Sequence, residues 1–238
     1  MFGTNAVRKY DGAGSRLQVQ DIWYTLQGEG PFSGRPAIFI RLTGCNLRCW
    51  FCDTKWDDEK DPYIAVDEMA EQLIALSIQH KCKLFVFTGG EPLRQNLSKL
   101  LWRVAVDVTD AVFQIETAGT LWQAVLKRSD VVIVVCPKTE KINPEIFARA
   151  DAFKYVLKDG FCNGTDGLPV FNTQKKNGDG SMQLKQLARP RPGAPVYVMP
   201  CDEYDEEKNK ANNRVVGRIA CKHGYIGQVQ AHKYLELK

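Results

Sequence analysis

Between Lys83 and Leu157 the sequence alternates short apolar runs with segments of helical period, and this rhythm most narrows the folds open to the chain. Lys83–Phe87 (KLFVF), Val112–Glu116, Val131–Val135 (VVIVV) and Ala152–Leu157 read as strands. A strand that is apolar at nearly every position must be buried on both faces, as in a parallel sheet covered by helices. Leu17–Tyr24 and Ala37–Leu42 precede the series as strands, and Pro195–Met199 and Ile226–Ala231 close it. Val66–His80 reads as a helix because Val66, Met69, Leu73 and Leu76 share one face. A second helix is expected over Gln95–Asp107, with Leu97, Leu100, Leu101 and Val104 inward. Leu121–Lys127 reads as helical too, and a polar helix is expected across Asp205–His223. The βα units are too few for a closed eight-stranded barrel. The expected fold is therefore α/β: a partial, incomplete TIM-type barrel of about six parallel strands with covering helices.

The 238 residues suffice for a full core. Residues 1–16 are polar, carry Gly12 and Gly14, and read as a flexible tail. Residues 17–238 read as a single domain, interrupted at about 158–194 by a loop-like insertion rich in Gly, Asn, Pro and Lys. A net charge of +4 with no Lys/Arg block argues against a nucleic-acid partner and suits a slightly basic pocket for an acidic small molecule. No apolar run approaches a membrane span, and the N-terminal segment carries no export signal, so a cytoplasmic protein without a membrane partner is expected.

Eight cysteines in a chain of this length, without an export signal, do not read as a disulfide scaffold. Three fall in one short motif, Cys45-Asn46-Leu47-Arg48-Cys49-Trp50-Phe51-Cys52, spaced C-x3-C-x2-C. Thiolates so spaced wrap one face of a [4Fe–4S] cubane, which normally takes four cysteines. Three local ligands leave one iron open to a chelating cosubstrate such as S-adenosylmethionine (SAM). A structural zinc knot needs four protein ligands, and the next candidates, His80 and Cys82, lie about thirty residues on. Three unrelated core cysteines would seldom cluster this way.

The motif resembles the fingerprint of the radical SAM superfamily, which has an aromatic residue before the last cysteine, here Phe51. Thr88-Gly89-Gly90-Glu91-Pro92, after a strand, resembles the superfamily's GGE motif, which binds the SAM amino group. Its glycines let backbone approach a ligand closely, and exposed carbonyls or Glu91 would accept from an ammonium. Taken alone, it is an ordinary strand-to-helix turn.

A wider pattern is similar to the 7-carboxy-7-deazaguanine synthase family. It comprises Gln27-Gly28-Glu29-Gly30, Gly34-Arg35-Pro36-Ala37, Arg41-Leu42-Thr43-Gly44-Cys45 and Asp53-Thr54. Glu116-Thr117-Ala118-Gly119-Thr120, Pro137-Lys138, Lys154-Tyr155-Val156 and Val229-Gln230-Ala231-His232-Lys233 extend it. The resemblance implies a radical SAM lyase. It would contract 6-carboxy-5,6,7,8-tetrahydropterin to 7-carboxy-7-deazaguanine with loss of ammonia, through a 5′-deoxyadenosyl radical that takes hydrogen from C6 and recovers it. It also implies help from Mg²⁺, a homodimer, an electron donor such as flavodoxin, and a product feeding 7-deazapurine pathways of the queuosine type.

By the same resemblance Cys45, Cys49 and Cys52 hold the cluster that generates the radical. Leu26, Gln27, Gly28, Glu29, Arg41, Thr88, His232 and the terminal carboxylate of Lys238 contact substrate. Phe51, Gly90, Glu91, Thr117, Cys136 and Lys138 contact SAM, and Thr54 contacts Mg²⁺. The residue types suit these tasks: a guanidinium fork matches the pterin carboxylate, an amide beside a carboxylate reads a donor–acceptor edge, and a hydroxyl oxygen suits Mg²⁺. The plainer readings are a surface arginine for Arg41, a solvated turn for Gln27 and Glu29, and a loop or helix cap for Asp53. The chain departs from the family pattern in having Cys136 where serine is usual, Ala231 in the tail motif, and Met199 where glutamine is common. Two other functions share the cysteine spacing or tolerate these departures: a glycyl-radical activating enzyme, and a non-catalytic SAM- or cluster-binding scaffold.

Overall fold

The computed structural model describes residues 5–52, 54, 55 and 60–237. Strand β1 (Arg16–Leu26) is followed by β2 (Pro36–Leu42), β3 (Tyr63–Ala65) and helix α1 (Val66–His80). Then come β4 (Leu84–Gly89), α2 (Ser98–Asp107), β5 (Val112–Thr117), β6 (Val131–Val135), α3 (Pro144–Arg149) and β7 (Ala152–Leu157). The chain ends with β8 (Val196–Pro200), α4 (Glu206–His223), β9 (Ile226–Gly227) and α5 (Ala231–Tyr234). The strands form one nine-stranded sheet in the order β3-β1-β2-β4-β5-β6-β7-β8-β9. β1 pairs antiparallel with β2 and β3. Six strands, β2 and β4 to β8, run parallel, and the two-residue β9 adds to them. Among the described residues the two edges of the sheet, β3 and β9, do not pair, so the barrel is open.

The sheet's outer face and the helices make the core. Phe85, Phe87, Phe113, Ile115, Ile133, Val135, Phe153 and Tyr155 pack with Met69 and Leu73 of α1, Leu100, Leu101 and Val104 of α2, and Val215 and Ile219 of α4. Side chains alternate across a strand, so the paired partners Gln114 and Val86, Glu116 and Val134, and Val156 and Met199 face the hollow instead. The parallel strands are thus not uniformly apolar. β6 is, whereas β4 ends on Thr88 and Gly89, and β5 and β7 carry Gln114, Glu116 and Lys154 inward.

The structure departs from the sequence expectation at four places. Leu121–Lys127 makes only a 3₁₀ turn at Ala124–Lys127. Buried Gln123 is tied across the chain, its Nε2 donating to the carbonyls of Leu93 and Gln95 and its Oε1 accepting from Leu97 N–H, and this holds the segment out of an α-helix. The closing strand shrinks to Ile226–Gly227, with Ala231–Tyr234 helical. Two elements lack a periodic signal long enough to read: β3, and the six-residue α3 that Asn143 caps by accepting from Glu145 and Ile146 N–H with Pro144 in the first turn. Residues 158–194 hold no helix and only isolated bridges, Cys162 with Pro169 and Lys176 with Met182. Ahead of β1, Arg8 N–H donates to the Cys45 carbonyl at 2.7 Å and Asp11 N–H to that of Arg94 at 2.7 Å. Among the described residues no helix is long and apolar enough to cross a membrane.

Candidate active site

The carboxyl ends of β4 to β8 open on a cavity of about 630 Å³. Its walls include Thr88 and Gly89 at the end of β4 and Gly90 after it, Glu116 and Thr117 of β5, Cys136 and Lys138 after β6, Lys154 and Val156 of β7, and Met199 and Pro200 of β8. The loop Cys45–Cys52 forms one side of the mouth, with Thr54 beside it. Helix α4 steadies the opposite rim. Buried Asn212 accepts from Asp159 N–H at 2.8 Å and donates to the Cys201 carbonyl at 2.9 Å, joining the exits of β7 and β8.

The root of the cysteine loop meets the Gly89-Gly90 turn backbone to backbone. Gly90 N–H donates to the Leu42 carbonyl at 3.1 Å and Glu91 N–H to that of Gly44 at 2.9 Å. A Cβ on Gly90 would stand 2.1 Å from the Gly44 oxygen, and one on Gly89, at φ +121°, 2.2 Å from the Leu42 oxygen. Only glycine permits this approach. Glu91 is 1% exposed and is not among the residues that line the cavity. It accepts from Leu93 N–H at 3.1 Å, Ala118 N–H at 2.8 Å and the Thr117 hydroxyl at 2.8 Å, fixing the turn to the end of β5. Burial raises its pKa above the usual carboxylate value, against these donors. Glu91→Gln sets an amide N–H against a backbone donor, so we expect a loss of about 2 kcal/mol. Thermal unfolding should show a midpoint roughly 4–8 °C lower; an unmoved midpoint would refute this role.

Deeper in, Lys154 of β7 is 5% exposed and lies between two carboxylates. It is ion-paired with Glu29, and its Nζ is 3.5 Å from Glu116 Oε2. Burial opposes the charge on Lys154, but Glu116 and Glu29 outweigh it and hold its pKa above the ordinary lysine value. Gln27 is buried, with its Nε2 donating to Glu116 Oε1 at 2.9 Å and its Oε1 accepting from Glu29 N–H at 3.0 Å. Gln114 Nε2 also donates to Glu116 Oε1, at 2.9 Å, while its own buried Oε1 has no partner among the described residues. Gln230 reaches in from the C-terminal segment to Glu29 Oε1 at 2.8 Å. The turn that carries Glu29 is held by Gln228, which accepts from Gly30 N–H at 2.7 Å and donates to its carbonyl at 3.0 Å.

The fold thus brings Cys45, Cys49, Phe51, Cys52, Thr54, Glu29, Thr88, Gly90, Thr117, Cys136 and Lys138 to one cavity. Leu26, Gln27, Gly28, Arg41 and Glu91 are not among its lining residues. Arg41 is half-buried on β2, in register with Thr88, and its guanidinium lies over the Trp23 ring, 4.9 Å from the centroid. Asp53 and Lys238 lie outside the described residues, as does the side chain of His232 on α5. Sequence reading missed Lys154, Glu116, Gln114 and Gln230 as site residues. A lysine inside the otherwise apolar run AFKYVL was the available signal for Lys154.

The donor set fits an iron–sulfur cubane with an open iron. Three half-buried thiols sit on one loop at the cavity mouth, and no two of the eight cysteines are joined by a disulfide. Two further thiols line the wall: Cys136, which already accepts from Lys138 Nζ at 2.7 Å, and Cys201, which follows β8 on the rim formed with Asp202 and Glu203. Burial pushes the Cys45 thiol up to about 12, so ligation there displaces a proton. Burial likewise opposes the charge on Lys138, but Cys136 keeps its pKa above the usual lysine value. Bare Gly90 backbone, the Thr117 hydroxyl and a cation at Lys138 are suited to the amino and carboxylate groups of an amino-acid cosubstrate.

An open, helix-covered parallel sheet with a three-cysteine loop at its carboxyl edge defines a radical SAM protein, and residues 39–136 match the Radical SAM superfamily. The crystal structure of QueE from Escherichia coli shares the fold, with a TM-score of 0.60 at 19% identity over 90% of this chain and 94% of that one. The chain is 40% identical over 250 residues to the 7-carboxy-7-deazaguanine synthase of Rhodospirillum rubrum, with both chains fully covered. It is 35% identical over 248 residues to that of Rickettsia prowazekii, covering 100% of this chain and 96% of that one. The chain belongs to the 7-carboxy-7-deazaguanine synthase family.

Proposed function

We propose that this chain converts 6-carboxy-5,6,7,8-tetrahydropterin to 7-carboxy-7-deazaguanine with release of ammonia. One observation carries the reading: the cysteine loop and the buried Glu29–Lys154–Glu116 group open on the same cavity. Cys45, Cys49 and Cys52 would hold the [4Fe–4S] cluster. When bound, cluster and SAM supply the carbon-centred radical that removes a substrate hydrogen and gives it back.

The chain's own residues bind and orient. Glu29 and Glu116 are acceptors for the N–H groups of the pterin's amino-pyrimidine edge, and Lys154 lies between them. Gln27 and Gln114 fix the rotamer of Glu116, and the unmatched Oε1 of Gln114 offers a further acceptor. Thr88, whose hydroxyl lies 3.4 Å from Glu116 Oε2, flanks the same edge. Gly90, Thr117 and Lys138 take the amino-acid end of SAM, with Phe51 and Cys136 beside it. Thr54 at the mouth supplies an oxygen to Mg²⁺. Arg41, Leu26, Gly28, His232 and Lys238 are assigned to substrate by family resemblance alone. That resemblance also supports a homodimer, a flavodoxin-type donor and a cytoplasmic setting.

The test is anaerobic reconstitution with iron and sulfide, reduction, and addition of SAM, Mg²⁺ and the carboxytetrahydropterin. Mass spectrometry should find 7-carboxy-7-deazaguanine with wild type and none with Cys49→Ala. Formation of 5′-deoxyadenosine without the deazaguanine would reject the substrate and favour an activating enzyme.

A further inference from the structure

Part of the 158–194 segment lies directly on the cysteine loop. Trp50 donates from its backbone to the Thr173 carbonyl at 3.0 Å and from its indole to that of Asn172 at 2.7 Å. Phe171 packs on the Phe51 and Trp50 rings at 6.0 and 6.3 Å, and the Lys176 ammonium lies 4.3 Å from the Trp50 ring centroid. The Thr173 hydroxyl donates to the Lys138 carbonyl at 2.5 Å, which ties the strap to the loop after β6. Gln174 sits at the centre of this contact. Its Oε1 accepts from Arg48 N–H at 2.8 Å, and a backbone N–H only donates, so the amide cannot be reversed. Its Nε2 therefore faces Cys49 Sγ, at 3.1 Å, and shares its other hydrogen with Thr173 Oγ1 at 2.7 Å.

We propose that Gln174 is a positioning residue for electron uptake, raising the reduction potential of the cluster through an N–H···S bond to Cys49. One-electron reduction adds negative charge that spreads onto the thiolate sulfurs. A donor held on one of them stabilises the reduced form more than the oxidised form. The strap is what holds the donor there: Arg48, Trp50 and Lys138 all bond to residues 172–174, so the amide is ordered before an electron arrives. The inference rests on the three cysteines being the cluster ligands, and it concerns the potential rather than the substrate.

Wild type, Gln174→Leu and Gln174→Glu are reconstituted anaerobically, iron and sulfide per chain are measured, and the cluster is titrated with dithionite under EPR. Gln174→Glu keeps an acceptor for Arg48 N–H but presents no donor to the sulfur. We expect both variants to hold the full cluster. Their reduced-to-oxidised ratio at a fixed potential should fall about three- to tenfold, the net worth of one ordinary hydrogen bond. At 59 mV per decade, this lowers the midpoint by about 30–60 mV. Full-iron variants with the wild-type midpoint overturn the proposal. Loss of iron at an unchanged circular dichroism spectrum also overturns it, because Gln174 is then an anchor and not a tuning group. Wild type that binds no iron would instead refute the cysteine ligation, so the two failures are distinguishable.

Discussion

Replacing Lys154 by methionine will destabilise the fold by about 3–5 kcal/mol and lower kcat/KM by about a hundredfold or more. Methionine keeps the length of the side chain and removes its charge. The side chains of Lys154, Glu29 and Glu116 are only 7%, 14% and 15% exposed, so solvent cannot replace the missing cation. Two buried carboxylates then face one another, both holding amide donors and neither neutralised. They will respond by binding a proton, which raises their folded pKa above the unfolded value of about 4.3. The native state of the variant then binds more protons than its unfolded state above that value, so its stability falls as pH rises. In wild type the sign falls elsewhere. Lys154 has a folded pKa above its unfolded value, so its contribution is complete below about 10.4 and is lost only in alkali. Melting curves at pH 5 and pH 8 read the difference. The variant should melt roughly 6–20 °C below wild type at pH 8 and recover part of that at pH 5. Equal melting points and turnover for the two proteins would remove Lys154 from the site.

Gly90→Ala should separate the cysteine loop from the end of β4, with loss of about 3 kcal/mol or more and of most bound iron. The new Cβ meets the Gly44 oxygen at 2.1 Å and its carbonyl carbon at 2.5 Å, so backbone rather than a flexible side chain must move. The bonds from Gly90 and Glu91 N–H to Leu42 and Gly44 break together, and they set where Cys45 leaves the sheet. Gly164→Ala is the control, because nothing lies within 4 Å of its Cβ. Iron per chain after reconstitution and the urea midpoint report the two effects. A Gly90→Ala protein with the iron content of the control would show that the loop positions itself without the turn.

What was readable in the sequence divides along physical lines. The strands and α1 were legible because their patterns report burial on the outer face of the sheet, which is a local, periodic property. The cysteine spacing and the paired glycines were legible because their chemistry is carried within a few consecutive residues. The Glu29–Lys154–Glu116 group was not, since its members lie 125 and 38 positions apart and meet only when β5, β7 and the turn after β1 are assembled. Glu91 reads in the sequence as a carboxylate for an ammonium, yet its three donors include Thr117 and Ala118 from the next strand, and these turn it inward. Leu121–Lys127 had helical spacing, but bonds from Gln123 to a segment nearly thirty positions away overrode it.

From β4 onward the strands are laid beside β2 in the order in which they are made, whereas β3 pairs with β1 at the other edge. A nascent chain can therefore extend the sheet one βα unit at a time, each new strand finding a finished edge. The hollow, however, is shut by contacts between Gly30 and Gln228 and between Glu29 and Gln230, which span 198 and 201 positions. Ring closure over such a length is among the last steps of folding. Until then the cysteine loop stands at the rim of a trough open along its whole length. The polar floor of the cavity, where Glu29 meets Lys154 and Gln230, is therefore complete only once both ends of the domain have been made.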